Sequence, residues 1–264
     1  MAMTPERAQD ASDFLYDAWM GGEVIDALPA PVRPGTREEG YAIQALLEAR
    51  SAKPLYGWKI AATGKEGQRH INVDGPLAGR LLAERVIPDG GTVPSSPNRM
   101  RVAEIEFAFR MGRDLAPRDT PFTVDEVLDA VDTLHAAIEI PDSRYEDFTA
   151  VGAPQLIADD ACAHYFLCAE STGADWRALD LVAHHVVGRV ENRYEREGSG
   201  AAVLGDPRVA LAWLANELSG LGVTLRAGEV VTTGTCIVPP PIAPGDHVRA
   251  DFGTLGAVDL RLGA

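Results

Sequence analysis

In the stretch Val102-Ala103-Glu104-Ile105-Glu106-Phe107-Ala108-Phe109, acidic or small residues alternate with large apolar ones. A β-strand turns successive side chains to opposite faces. Glu104 and Glu106 therefore share a face, while Ile105, Phe107 and Phe109 point the other way into a core. Ala136-Ala137-Ile138-Glu139-Ile140 repeats the pattern, with Glu139 between two isoleucines. If the two strands lie side by side, three carboxylates converge. Like charges in a partly buried site are unfavourable unless something compensates them. A hard divalent cation with oxygen ligands, Mg²⁺ or Mn²⁺, would do so. The same spacing also suits solvent-facing residues of ordinary half-buried strands, and on spacing alone both readings stand.

Outward from these strands, the texture from about residue 75 onward is strands and turns. Strands are expected over 102–111, 135–141, 164–168, 184–195, 229–233, 246–251 and 256–262. Two helices interrupt them. One runs from Thr123 to Leu134, with Val124, Val127, Leu128, Val131 and Leu134 on one stripe. The other opens with Asp206 as N-cap and Pro207 at its first position, and runs to Gly220. Upstream, Thr4-Pro5 caps a first helix through Ala8, Ala11, Leu15, Ala18 and Trp19. A connector with Pro29, Pro31 and Pro34 follows, and Thr36-Arg37-Glu38-Glu39 reads as a capping box for a helix to about Ser51. Tyr56 to Ala62 reads as a strand. There is no βαβα alternation and no repeat. The fold class is α+β: a small helical amino-terminal part, 1–75, then a mixed, largely antiparallel sheet rolled into a barrel, 76–264.

A chain of 264 residues, 46% hydrophobic with mean hydropathy −0.06, has enough apolar material for a packed core. The net charge of −15 argues against nucleic acid and against an anionic membrane surface as partners. Cys162, Cys168 and Cys236 have neither a CxxC spacing nor an even count, which favours reduced thiols in a cytoplasmic protein. Met1 to Arg7 lacks the basic and apolar segments of a signal peptide, and no apolar run approaches membrane-spanning length. There is no GxGxxG after a strand, no GxxxxGK[ST] and no GxSxG, so nucleotide-cofactor and α/β-hydrolase chemistry have no support. The six histidines never take an HxxxH spacing, which removes the usual zinc reading. His184-His185 heads an apolar strand and reads as structural.

Within Gly57-Trp58-Lys59-Ile60-Ala61, Lys59 shares a face with two small residues. It is either a pocket cation for an anionic substrate or a lysine snorkelling from an edge strand. Asp74, in Val73-Asp74-Gly75-Pro76, reads on its own as a turn residue.

These segments occur in an order that resembles one family. Together with Ala137-Ile138-Glu139-Ile140-Pro141-Asp142-Ser143-Arg144, Ile157-Ala158-Asp159, Val203-Leu204-Gly205-Asp206-Pro207, Ala210 to Asn216, Ala227 to Thr235 and Pro244-Gly245-Asp246, they resemble the 2-keto-4-pentenoate hydratases. They also resemble the sister 4-oxalocrotonate decarboxylases of the fumarylacetoacetate hydrolase superfamily. The resemblance spans nearly the whole chain and implies a fumarylacetoacetase C-terminal-like β-roll. It implies Mg²⁺ or Mn²⁺ held by Glu104, Glu106 and Glu139, and a 2-oxo or 2-hydroxy acid bound through its carboxylate and 2-oxo oxygens. Lys59 and Asp74 would handle protons or water. It further implies a homo-oligomer, with a pathway enzyme as a further partner. After Ile157-Ala158-Asp159 the family continues Asn-Ala-Ser, whereas this chain has Asp160-Ala161-Cys162. Cys162 thus stands where the family sets a serine near the substrate.

The leading expectation is hydration of a 2-hydroxyalka-2,4-dienoate to a 4-hydroxy-2-oxoacid. The alternatives are decarboxylation of a 2-oxo-dienedioate, C–C hydrolysis with His70 and Glu66 as the water-activating pair, and a non-enzymatic partner subunit. Asp160 to Tyr165 is expected at the far end of the pocket. It has no lysine or arginine to hold a second carboxylate, and His164 is expected to be mostly neutral at pH 7. This favours a monocarboxylate.

Overall fold

The computed structural model describes residues 3–171 and 173–264, so Met1 and Ala2 of the amino-terminal reading lie outside the described residues. In chain order the elements are α1 (Pro5–Gly21), α2 (Arg37–Ala45), β1 (Gly57–Ala61), α3 (Lys65–His70), β2 (Leu77–Leu81), β3 (Val86–Ile87), β4 (Thr92–Val93), β5 (Glu104–Met111), α4 (Val124–Leu128), β6 (Val131–Ile140), α5 (Ala153–Ala158), β7 (Tyr165–Cys168), β8 (His185–Val190), β9 (Tyr194–Ser199), α6 (Pro207–Gly220), β10 (Val230–Thr235), β11 (His247–Asp251) and β12 (Ala257–Leu262). The expected α+β architecture is the one formed. No helix is long and apolar enough to cross a membrane among the described residues.

The caps form largely where expected. Thr4 accepts from the Arg7 amide and Asp206 from the Arg208 amide, satisfying donors that the first helical turn leaves free. At α2 only half of the capping box forms. Thr36 accepts from the Glu39 amide, but the Glu39 carboxylate reaches the Gly35 amide at 2.7 Å and the Met3 amide at 3.0 Å.

One expected element is corrected and one is extended. The helix placed over Thr123–Leu134 stops at Leu128, and strand β6 begins at Val131. Val131 and Leu134 sit opposite Met111 and Phe109 in the β5–β6 ladder. Ladder hydrogen bonds and shared burial there override the helical stripe. The strand stretch 184–195, with a turn expected at Glu191-Asn192-Arg193 but without the glycine such a turn favours, forms the hairpin β8–β9, whose second strand runs on to Ser199, with Val190 opposite Tyr194. Its turn holds Asn192 at φ 60°, a left-handed conformation asparagine adopts more readily than most residues. That is why no glycine is needed.

The strands form a seven-stranded sheet in the order β2-β1-β10-β5-β6-β7-β3 and a five-stranded sheet in the order β4-β12-β11-β8-β9. Most neighbours are antiparallel, while β1–β10, β3–β7 and β4–β12 are parallel. The sheets meet where β6 lies against β11 and β12. Ile105, Phe107 and Phe109 are fully buried, with the Phe107 ring edge-on to Phe252 at 5.0 Å. His184 packs edge-on against Phe107, and its Nε2 lies 2.7 Å from the Phe252 carbonyl oxygen, a structural setting. Strand β1 pairs with both β2 and β10, so the division at 75/76 runs through the larger sheet. That pairing makes β1 an interior strand and sets Lys59 two strands from the Glu104–Glu106 face.

Candidate metal centre

The β5–β6 register places Glu104 directly opposite Glu139, and Glu106 two residues along on the same face. Directly opposed positions bring side chains within about 5 Å, and the three glutamates each offer an oxygen within 4.8 Å of the others. Glu106 and Glu139 are fully buried and Glu104 is half-buried. The solvent-facing reading of these strands therefore fails.

The cluster is cradled from β10. Thr232 Oγ1 and the Gly234 amide, the latter at 2.7 Å, both donate to Glu106 Oε2. The register between β10 and β5 breaks between Thr232 and Thr235, and that irregularity is what turns the Gly234 amide inward. Gly234 sits at φ 99°, and a Cβ there would lie 2.0 Å from Thr63 Oγ1. Only glycine fits. Sequence reasoning had assigned Thr232 and Gly234 no role; the Thr-Thr-Gly-Thr run was the available signal.

Lys59 is 2% exposed, which removes the snorkelling reading. Its Nζ lies 3.0 Å from Glu139 Oε1 and donates to the Ala161 carbonyl oxygen at 3.0 Å. Burial disfavours the ammonium, but the carboxylates of Glu139, Glu104 and Glu106 outweigh it, and its pKa is raised. One ammonium cannot balance three carboxylates. Burial, then repulsion from Glu104, pushes Glu106 up to about 8. Burial pushes Glu139 well above the ordinary carboxylate range against the pull of Lys59. Without a cation the cluster holds protons that belong to the group as a whole.

Among the described residues, Glu106 Oε1 and both Glu139 oxygens are buried with no aligned hydrogen-bond donor, the Lys59 contact being an ion pair only. Buried oxygens left without donors are costly. All-oxygen carboxylate ligands on one face suit a hard dication, and the residues fit such an ion.

The Ala161 carbonyl reaches Lys59 because the chain turns abruptly there. Asp160, Ala161 and Cys162 stand at φ 55°, 50° and 63°, a run that costs roughly 1–2 kcal/mol per residue for non-glycine side chains. Buried partners hold it. Asp160 Oδ1 accepts from the Arg80 amide at 2.6 Å. Arg144 pairs with Asp159 and donates to the Ala163 carbonyl at 3.2 Å, its guanidinium 4.6 Å over the Trp19 ring. Arg144 also went unrecognised in the sequence, where nothing distinguishes a buried arginine from a surface one.

Lys59 and Glu104 line one side of a cavity of about 710 Å³, together with Cys162, Thr235 and a largely apolar remainder. Burial, then Asp159, pushes the Cys162 thiol up to about 12, so it stays protonated. The other expected residues lie elsewhere. The Asp74 side chain is 88% exposed and pairs with Arg37, beside a separate shallow depression. Glu66 pairs with Arg69, and His70 stacks edge-on to Phe148 at 5.9 Å, both at the cavity rim.

The segment 160–165 does not form the far end of the pocket. Only Ala161 and Cys162 reach the cavity. Asp160 is turned to Arg80, and burial raises it to about 7. His164 accepts from Trp19 Nε1 at 2.9 Å, and burial, then Arg144 and Arg85, lowers it to about 2. A charge argument based on Asp160 and His164 therefore does not bear on the substrate's tail.

The fumarylacetoacetate hydrolase C-terminal model matches residues 77–262. Over 262 residues the chain is 33% identical to a 2-keto-4-pentenoate hydratase of Paraburkholderia xenovorans, covering 97% of this chain and 95% of that one. It is 32% identical to a 4-oxalocrotonate decarboxylase of a Pseudomonas species, covering 84% and 82%. Among solved structures, the 4-oxalocrotonate decarboxylase of Pseudomonas putida, complexed with magnesium and adipate, superposes with a TM-score of 0.88 at 27% identity, covering 99% of each chain.

Proposed function

The chain belongs to the fumarylacetoacetate hydrolase C-terminal family, and from that premise we propose that it is a divalent-metal-dependent hydratase. Its substrate class is a 2-hydroxyalka-2,4-dienoate and its product a 4-hydroxy-2-oxoacid. The observation that carries the reading is the trio of Glu104, half-buried, with the buried Glu106 and Glu139, beside Lys59 at the wall of a largely apolar cavity. Hydratases recur among the relatives at similar coverage. Glu104, Glu106 and Glu139 would hold Mg²⁺, with Mn²⁺ as the other candidate. When bound, such a dication supplies Lewis-acid stabilisation of developing enolate charge, worth several kcal/mol.

The protein's own groups do the rest. Lys59 donates one hydrogen bond, to Ala161, and lies in an ion pair with Glu139, which leaves donor capacity for a substrate oxygen. From there Lys59 orients the anionic head group and exchanges a proton with the dienol as it becomes the keto tautomer; positioned acid–base groups contribute roughly 10²–10⁴-fold. Cys162, a neutral thiol, shapes the wall and offers a weak donor. Asp74 would have to swing inward with its loop to take part.

The decarboxylase reading is second, favoured by the close superposition on a decarboxylase. One assay separates the two. With Mg²⁺, dienol ultraviolet absorbance should decay as a 4-hydroxy-2-oxoacid forms, and a chelator should stop it. A higher kcat/KM for release of CO₂ from a 2-oxo-dienedioate would overturn the hydratase assignment. The same reading places the protein in the cytoplasm as a homo-oligomer. Light scattering at micromolar concentration checks the assembly, and a monomer would contradict it.

A further inference from the structure

The cavity beside Lys59 is far larger than the head group of the proposed substrate. A five-carbon dienoate occupies on the order of 100–150 Å³ at interior packing density, against a cavity of about 710 Å³. Pockets of several hundred Å³ with mostly apolar walls ordinarily bury ligands much larger than a five-carbon acid.

The lining joins a small polar group to a larger apolar one. Lys59, Glu104 and Thr235 stand at the head end. Much of the rest of the lining is apolar, including Ile71, Met100, Phe148, Leu156, Ile237 and Val238. Leu156 and Ile237 are buried, and Ile71, Met100 and Phe148 are half-buried. Val238 is 68% exposed at the edge, an apolar side chain held at the opening.

Apart from Lys59 and Glu104, the charged lining residues Lys65, Glu66 and Glu197 are exposed, and each is engaged. Lys65 donates to Gln68 at 3.2 Å, Glu66 pairs with Arg69, and Glu197 lies 3.1 Å from His185. Lys59 is the only buried cation among the described residues lining the cavity, and Glu139 already holds it. A second carboxylate would therefore have to shed water against apolar walls with no buried partner, which is expensive. An alkyl or aryl tail gains from the same walls.

We propose that the natural substrate carries an extended apolar tail, an alkyl chain of several carbons or an aryl ring, on the carbon end remote from its carboxylate. This rests on the hydratase reading for the head group and adds the class of the tail. Each methylene moved from water into such a wall should tighten binding about three- to fourfold.

The test is calorimetric binding of saturated 2-oxo acids to the Mg²⁺-loaded protein: 2-oxobutanoate, 2-oxohexanoate, 2-oxooctanoate and the dicarboxylate 2-oxooctanedioate. The expected result is affinity rising at least tenfold for every two carbons in the monoacid series, with the diacid at least tenfold weaker than 2-oxooctanoate. A flat or falling series, or a tighter diacid, overturns the tail while leaving metal-dependent head-group binding and the hydratase reading intact. Failure of every 2-oxo acid to bind in a metal-dependent way overturns both.

Discussion

Glu106→Gln should abolish measurable turnover and weaken Mg²⁺ or Mn²⁺ binding at least about 10²-fold, since loss of residues that merely support a ligand already costs roughly 10–100-fold. The fold should survive because the amide fits its surroundings. Its oxygen can take the place of Oε2 and keep the donors from Thr232 and Gly234. Its NH₂ then falls where Oε1 now lacks a donor, facing the other carboxylates. The variant removes charge and ligand strength and leaves the hydrogen bonds. It also has a second readout in the metal-free protein. The folded-state pKa of Glu106, about 8, lies above its ordinary unfolded value. The folded state thus binds more protons between those two values, so stability is highest below the unfolded pKa and falls as pH rises through about 8. Metal-free wild type should melt progressively lower from pH 5 to pH 8.5, and Glu106→Gln should flatten that slope. Calorimetric titration with Mn²⁺ decides the main point: unchanged affinity in the variant would remove the metal centre as described.

The acidic trio was legible because a strand's two-residue period is a strong signal. Glu104 and Glu106 had to share a face opposite Ile105 and Phe107, and the structure only had to supply the register that sets Glu104 against Glu139. Lys59 was half-legible. Its small neighbours hinted at a pocket, but whether β1 was an edge or a central strand depended on a parallel pairing with β10 from far along the chain. No local pattern encodes that. The end of the α4 helix was lost for the same reason, since Val131 and Leu134 satisfy a helical stripe and a strand equally well until β5 claims them. Three successive left-handed residues, Asp160 to Cys162, none of them glycine, could not be foreseen from propensity. Their conformation is imposed by Arg80, Arg144 and Asp159, and it is this turn that points Asp160 and His164 away from the cavity. That is why the expected placement of the whole segment at the substrate's far end does not hold.

Lys59→Met should lower kcat/KM at least about 10²-fold while changing metal affinity little. Two effects on the metal oppose each other. The ammonium repels a dication held by Glu139, and its loss helps binding. The ammonium also lowers the proton affinity of the carboxylates, and its loss makes protons compete harder with the metal. Methionine suits the space, because the Lys59 chain runs past Gly79, where a Cβ would come within 3.0 Å of its Cγ and Cδ. The unbranched thioether can follow the same path. The Ala161 carbonyl loses its lysine donor, a cost of about 1–3 kcal/mol, so some thermal stability should go with the activity. What cannot be replaced is a donor and proton carrier at the head of the cavity. A 10²-fold loss in kcat/KM corresponds to about 2.7 kcal/mol of transition-state stabilisation, within the range for a positioned acid–base group. The measurement is steady-state kinetics across pH alongside Mn²⁺ titration. An intact metal affinity with a collapsed kcat/KM would put Lys59 in the chemistry. Wild-type turnover would leave it a counter-charge for Glu139 and nothing more.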